Sequence, residues 1–223
     1  MTKGSDHMKK TLYSLMLSDD VVREVDALAH RQGVTRSALV NSILAEYTGF
    51  LTPEKRIGDI FSAIDRLLAP QRELIPYFEP NALTMSLKSS LEFKYRPTVR
   101  YEVQLYEHSD TALGALSVIF RTQSESLLMG MAAFFRLWKR IEDSFRTAAT
   151  GESVTHELYE GRFVRSLALP RGRDCRSEEL AEAISAYIRL FDSALKGCLA
   201  GRLTERDVEQ GYLEWLRSGN III

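Results

Sequence analysis

The stretch that decides the fold runs from Lys9 to Tyr47, KKTLYSLMLSDDVVREVDALAHRQGVTRSALVNSILAEY. It opens on an alternation, with Tyr13, Leu15 and Leu17 to one side and Leu12, Ser14 and Met16 to the other. A period of two is that of a strand with two different faces. Ser18 then reads as an N-cap, with Asp19 and Asp20 in the first helical turn, where the helix dipole favours anions. Val22, Val25, Leu28 and Ala29 make one apolar stripe, and Gly33 ends that helix. Thr35 caps the next, whose stripe is Leu39, Val40, Ile43, Leu44 and Tyr47 before Gly49.

A lone strand cannot satisfy its edge donors and acceptors, and two short helices cannot bury both stripes without a partner. A twofold dimer solves both problems. Pairing Thr11 to Leu17 with the same segment of a second chain gives an antiparallel ribbon. Tyr13, Leu15 and Leu17 then face a shared helical core, and Leu12, Ser14 and Met16 face outward.

At these residues, in particular LSDDVV followed by QGVTRSALV, the segment resembles the ribbon-helix-helix family of bacterial and plasmid regulators, the CopG/Arc/MetJ type. The resemblance covers about residues 9–50. It implies a homodimeric DNA-binding transcription regulator, of repressor type, that inserts the two-stranded ribbon into the major groove of double-stranded DNA. By position, Leu12, Ser14 and Met16 would read bases, while Thr35, Arg36 and Ser37 would anchor a phosphate at the second helix's N-terminus. Lys9 and Lys10 would add phosphate contacts. The outward positions of the family are more often basic or polar. Here Ser14 can hydrogen-bond a base edge and Leu12 and Met16 can touch thymine methyls, but none of the three offers a bidentate base contact.

Working outward, residues 8–50 are the expected ribbon-helix-helix module and residues 1–7 stand outside the fold reasoning as an appended leader, too polar for a secretory signal. Thr52-Pro53-Glu54 opens a third helix, with Ile57, Ile60, Phe61, Ile64, Leu67 and Leu68 on one face. Residues 52–69 are expected to connect two halves. Pro70, Pro76 and Pro80 predict a linker over 70–82. Residues 83–223 form the second domain. There, 83–106 holds two strands with Pro97 at a corner, 114–122 a third, and 156–169 a strand pair about Gly161. Leu127, Met131, Phe134, Phe135, Trp138, Ile141 and Phe145 repeat at helical spacing; Ser177 starts a helix to about Leu199, and Thr204-x-x-Asp207 is a capping box for a last one. The fold class is α+β, with an antiparallel sheet and at least three helices behind the N-terminal module.

Composition excludes several alternatives. The chain has 223 residues, 45% hydrophobic and 26% charged, with 13 Gly, 6 Pro and 2 Cys, which is neither collagenous, disordered nor a disulfide scaffold. Its longest apolar run, Leu127 to Phe135, is far short of a membrane span. The expected location is cytoplasmic, with no membrane partner. The net charge of −1 gives no global basic field, so any nucleic-acid contact is local. His7, His30, His108, His156, Cys175 and Cys198 lack ligand spacing, so no metal is expected. Cys198 reads as a buried thiol on an apolar stripe and Cys175, among arginines, as an exposed loop cysteine. No phosphate-binding glycine loop, nucleophile elbow or metalloprotease pair is present, so the chain reads as no enzyme and as needing no cofactor. Lys88, Lys94, Arg96 and Arg100 mark either a second nucleic-acid surface or a solvated strand face. The competing reading of the whole is a protein-interaction module, antitoxin-like or a scaffold, using the ribbon-helix-helix only to dimerise; either way the partner includes a second copy of the chain.

Overall fold

In the computed structural model, which describes residues 12–71, 73–78, 83–92, 96–107, 112–146, 154–168, 175–219 and 223, regular structure begins at α1 (Asp19–Gln32). Ser18 holds the N-cap position in extended backbone, although its hydroxyl makes no capping bond. The helix stops because Gly33 turns left-handed at φ 66°, letting Val34 N–H reach the Ala29 carbonyl at 3.0 Å. Thr35 begins α2 (Arg36–Thr48), its Oγ1 accepting from Ala38 N–H at 3.2 Å, and Gly49 closes it in the same left-handed manner. Residues 12–18 carry neither helix nor ladder.

The chain divides into two compact units, residues 1–56 and 57–223. The boundary falls inside the expected connecting helix, while the expected linker is corrected. α3 (Pro53–Leu68) starts where Thr52 Oγ1 accepts from Lys55 N–H at 3.2 Å, but Ile57, Ile60, Phe61, Ala63, Ile64 and Leu68 are buried in the core of the second unit. A three-residue 3₁₀ turn, Ala69–Gln71, follows, and the expected linker then supplies strand β1 (Leu74–Phe78). Pro76 is tolerated because β1 is the edge of the sheet, where one side of the strand needs no donor. The ladder registers Leu74 with Ser89 and Pro76 with Leu87, then slips before Phe78.

The second unit contains β2 (Thr84–Ser90), β3 (Thr98–Leu105), β4 (Ala112–Phe120), α4 (Glu125–Ile141), β5 (His156–Tyr159), β6 (Arg162–Ala168), α5 (Ser177–Leu199) and α6 (Glu205–Arg217). The strands form one antiparallel sheet of order β1-β2-β3-β4-β6-β5. Alternation sends Met85, Leu87, Val99, Tyr101, Val103, Leu116, Val118, Phe163 and Leu167 to one face, where they share a core with the stripes of α3, α4, α5 and α6. The fold is α+β, with the helices gathered on that face. Leu127, Met131, Phe134, Phe135, Trp138 and Ile141 are buried as their spacing requires, and Phe145 packs partly buried. Trp138, Phe134 and Phe163 surround Phe191 of α5 with ring centroids 4.9–5.7 Å apart. The strand pair turns at Gly161, φ 72°, and the Thr204–Asp207 capping box opens α6. At Gly114 the β3–β4 ladder is so close that a Cβ would lie within the Gln104 carbonyl's van der Waals shell and 3.0 Å from Leu105 Cα. Among the described residues no helix is long and apolar enough to cross a membrane.

Candidate nucleic-acid interface

The expected base-reading positions lie in the unpaired segment ahead of α1. Leu12 and Met16 are fully exposed, at 96% and 101%, while Leu15 and Leu17 are about half covered, at 52% and 45%. Outward and inward sets therefore already differ at those four positions within one chain; Tyr13, at 80%, does not follow the division. Ser14 is exposed between them. Lys9, Lys10 and Thr11 lie outside the described residues.

Behind this segment α1 and α2 leave much apolar surface uncovered. Ala29 and Leu39 are buried, and Val22, Val25, Leu28 and Val40 are half-buried. Ile43 and Leu44 remain 43% and 50% exposed and Tyr47 90%. A monomeric surface seldom carries so many large apolar side chains so close in sequence. Burying the open half of an Ile or Leu is worth roughly 1 kcal/mol each, a sum that a second copy of the same surface doubles.

The cations of this unit are largely engaged. Arg36 forms a bidentate ion pair with Asp26, fastening the start of α2 to α1, and Arg23 pairs with Asp20 one turn away. The hydrogen bond with Asp26, then its charge, raises the Arg36 guanidinium above its ordinary value. Lys55 reaches Glu46 at 3.7 Å. Of the expected phosphate anchor, Thr35 spends its oxygen on the cap and Ser37 is exposed in the first turn. Arg36 can meet a phosphate only by leaving Asp26 or through the N–H groups that Asp26 does not take. The pairing of Arg36 with a residue ten positions upstream is a tertiary contact, invisible to local spacing.

The second unit holds a polar cluster that pattern reading overlooked. At its end α4 widens into a π-helical turn, Glu142–Arg146, which directs both Glu142 and Arg146 inward. Glu142 is met by His156 Nε2 at 2.7 Å and by Arg165 Nε at 3.0 and 3.1 Å, and it accepts from the Tyr187 and Tyr212 hydroxyls at 3.1 and 3.2 Å. Trp138 Nε1 donates to Tyr187 at 2.8 Å, and the Arg165 guanidinium lies 4.2 Å over the Tyr187 ring. Arg165 also donates to the Ser166 and Ile223 main-chain oxygens at 3.2 and 3.3 Å. Burial pushes the Glu142 carboxyl up, but Arg165, the His156 hydrogen bond and the charges of His156 and Arg146 outweigh it and hold it below the ordinary carboxylate range. Burial is the main cause that raises the Tyr187 and Tyr212 phenols.

The cluster joins α4, β5, β6, α5 and α6, and the hollows on the sheet's other face include none of Glu142, His156 and Arg165. Its chemistry is that of a buried charge network centred on Glu142, although Arg146 Nε and Nη1 and His156 Nδ1 make no hydrogen bond. A lone Glu after an aromatic stripe gives no hint of it; the one sequence signal is that Glu142 and Arg146 continue the spacing of Trp138 at i, i+4. A smaller network joins Tyr101 to buried Asp192 at 2.8 Å and Asp192 to Lys196 at 2.7 Å.

Among the described residues no group of three His, Cys, Asp or Glu is placed to hold a metal ion. Cys175 is buried at 2% exposure, which corrects its reading as an exposed loop thiol: it sits immediately before α5, where the chain enters the core. Cys198 is half-buried, and burial, with Glu205 and Asp207, raises its thiol above the ordinary value. No family model, curated protein or solved structure matches the chain.

Proposed function

We propose that the chain is a homodimeric DNA-binding transcriptional regulator. Its first unit, a ribbon-helix-helix, pairs residues 11–17 with a second chain and inserts the resulting ribbon into the major groove. The observation that carries this reading is the unpaired segment 12–18 directly ahead of a helix-glycine-helix pair whose apolar stripes remain half open. Both deficits have the same remedy, a second copy related by a twofold axis. Ser14 and Met16 then read bases, Leu12 touches thymine methyls, and Lys9 and Lys10 meet the phosphates flanking the ribbon. The second unit does no chemistry in this reading; it supplies oligomerisation on paired sites or binds an effector, in a cytoplasmic setting.

The engagement of Arg36 by Asp26 and the apolar character of Leu12 and Met16 favour a second reading, in which the dimer's outer ribbon face meets protein. Recovery of bound duplexes from a random or genomic pool separates the two. A shared palindromic or tandem site is the expected result. No enrichment by a protein that sediments as a folded dimer would assign the module to assembly.

A further inference from the structure

The face of the sheet turned away from the helices carries one row of register partners across all six strands: Ile75, Lys88, Arg100, Ile119, Arg162 and Tyr159. Lys88 stands directly opposite Arg100, an arrangement that costs stability in an antiparallel pair. Arg121, just beyond the end of β4, adds a third cation to the same hollow, which Tyr77, Lys88, Thr98, Arg100 and Ile119 line over about 280 Å³. Arg100 is offset by Glu102 at 3.1 Å, but Lys88 and Arg121 have no carboxylate partner among the described residues; Lys88 instead rests 5.1 Å over the Tyr77 ring. Three cations against one carboxylate in a concave site is a local charge surplus that favours an anion.

Past Ile119 the same face opens into a wider trough of about 670 Å³, its floor made of Ala115, Ser117 and Val164 and its sides including Tyr106 and Tyr159. Arg162, the register neighbour of Ile119, donates to Ser117 Oγ at 2.9 Å and so belongs to the trough floor. Glu157, Glu160 and Arg162 also line the trough, so a cationic hollow and a larger polar one of small side chains, tyrosines and carboxylates stand on the same sheet face, the form of a small-ligand site.

We infer that this open face binds a phosphorylated small molecule, its phosphate held by Lys88, Arg100 and Arg121 and its remainder, a part bearing hydrogen-bond donors that suit Glu157 and Glu160, lying over Ile119 in the trough. Converging cations suit one compact phosphate group; a duplex would call for cations strung along its backbone. The inference is independent of the DNA-binding reading, because it concerns residues of the second unit alone.

The test is a titration of the full chain, followed by backbone amide NMR, with inorganic phosphate, with adenosine monophosphate as a representative ester, and with a random duplex. Phosphate is expected to shift the amides of Lys88, Arg100 and Arg121 saturably, and the ester to bind more tightly and shift Ala115, Ser117 and Val164 as well. Lys88→Gln and Arg121→Gln should each weaken both ligands by about tenfold or more. They should leave thermal stability unchanged or, for Lys88→Gln, raise it, since a like-charge pair is removed. Three outcomes overturn the inference. One is the absence of a saturable response, or an equal response in the variants. Another is equal affinity for phosphate and ester with no shift in the trough, which reduces the site to a free phosphate. The third is a duplex that shifts the same amides and loses affinity in the variants while phosphate binding persists, which makes the face a nucleic-acid surface.

Discussion

The two units of this chain treat their own surfaces in opposite ways. The second closes upon itself: its stripes share one core, its sheet buries a face, and even a fully buried carboxylate, Glu142, finds a cation, an imidazole and two phenols within the same chain. The first leaves Leu15, Leu17, Ile43 and Leu44 about half exposed and a segment of backbone unpaired. One sequence thus contains a region that buries its own apolar stripes and a region that leaves them half open, as the proposed dimer requires. Local signals are present in both: Thr35 caps α2 as Thr204 caps α6. What differs is where the apolar area goes, and that depends on tertiary packing rather than on propensity.

The comparison breaks most completely at Leu15. Leu15→Asp places a charge in the proposed shared core and should abolish dimerisation and folding of residues 12–51 while the second unit stays folded. Sedimentation equilibrium with amide NMR would read both halves, and a folded dimer of the variant would contradict the contrast. Nearly as large is the effect of where the chain is cut. A fragment from Thr52 retains α3 and β1 and should fold, whereas one from Asn81 lacks Ile57, Ile60, Phe61, Ile64, Leu68 and Leu74 and should not; circular dichroism and urea unfolding of the pair would decide.

Within the second unit, Glu142→Ala strands Arg165 without its carboxylate and should cost about 3–5 kcal/mol in urea unfolding. The same residue predicts a pH dependence. Its folded pKa lies below the unfolded value of about 4.3, so its contribution is present above that pH. As pH falls through the lower folded value the contribution is lost, at up to about 1.4 kcal/mol per pH unit for one proton. Unfolding midpoints measured from neutral to acid pH should drop below about pH 4 in the parent and drop less steeply in Glu142→Gln.

The smaller effects sharpen the first unit's proposed role. Lys9→Gln with Lys10→Gln should reduce the slope of log affinity against log salt by about 0.9 for each phosphate that is no longer neutralised. Arg36→Ala should change that slope little, because Arg36 is spent on Asp26. A slope shallower by a full unit in Arg36→Ala would show that the pair opens on DNA. Ser14→Ala and Met16→Ala should alter site preference by about 1 kcal/mol per contacted base pair, read by competition between single-substitution sites.

Much of the architecture was legible in the sequence. The glycine stops at 33 and 49, the Thr35, Thr52 and Thr204 caps, the alternation of β2, β3 and β4 and the aromatic stripe of α4 all follow from period and capping chemistry. The errors share one cause. α3 crosses the unit boundary as read, but its apolar face did not show its partner, the core of residues 57–223. Pro76 reads as a breaker because its cost depends on whether a strand is central or at the edge, which no local window reveals. The Glu142 network draws on five elements spread from α4 to α6, and each member looks, in its own neighbourhood, like a solvated polar residue. Of the proposed DNA-facing residues, parity alone assigns the outward set, while the capture of Arg36 by Asp26 needed the helices in place.

Gly114 carries a consequence for how this protein tolerates change. Since the Gln104 carbonyl occupies the space of any Cβ there, the pairing of β3 and β4 leaves no room for a side chain at this one position. In a library of all single substitutions, position 114 should appear as an isolated intolerant column between permissive neighbours such as Gln104 and Ala115. A distant sequence that has shed every other likeness to this one would still have to carry glycine at that point to weave the same sheet.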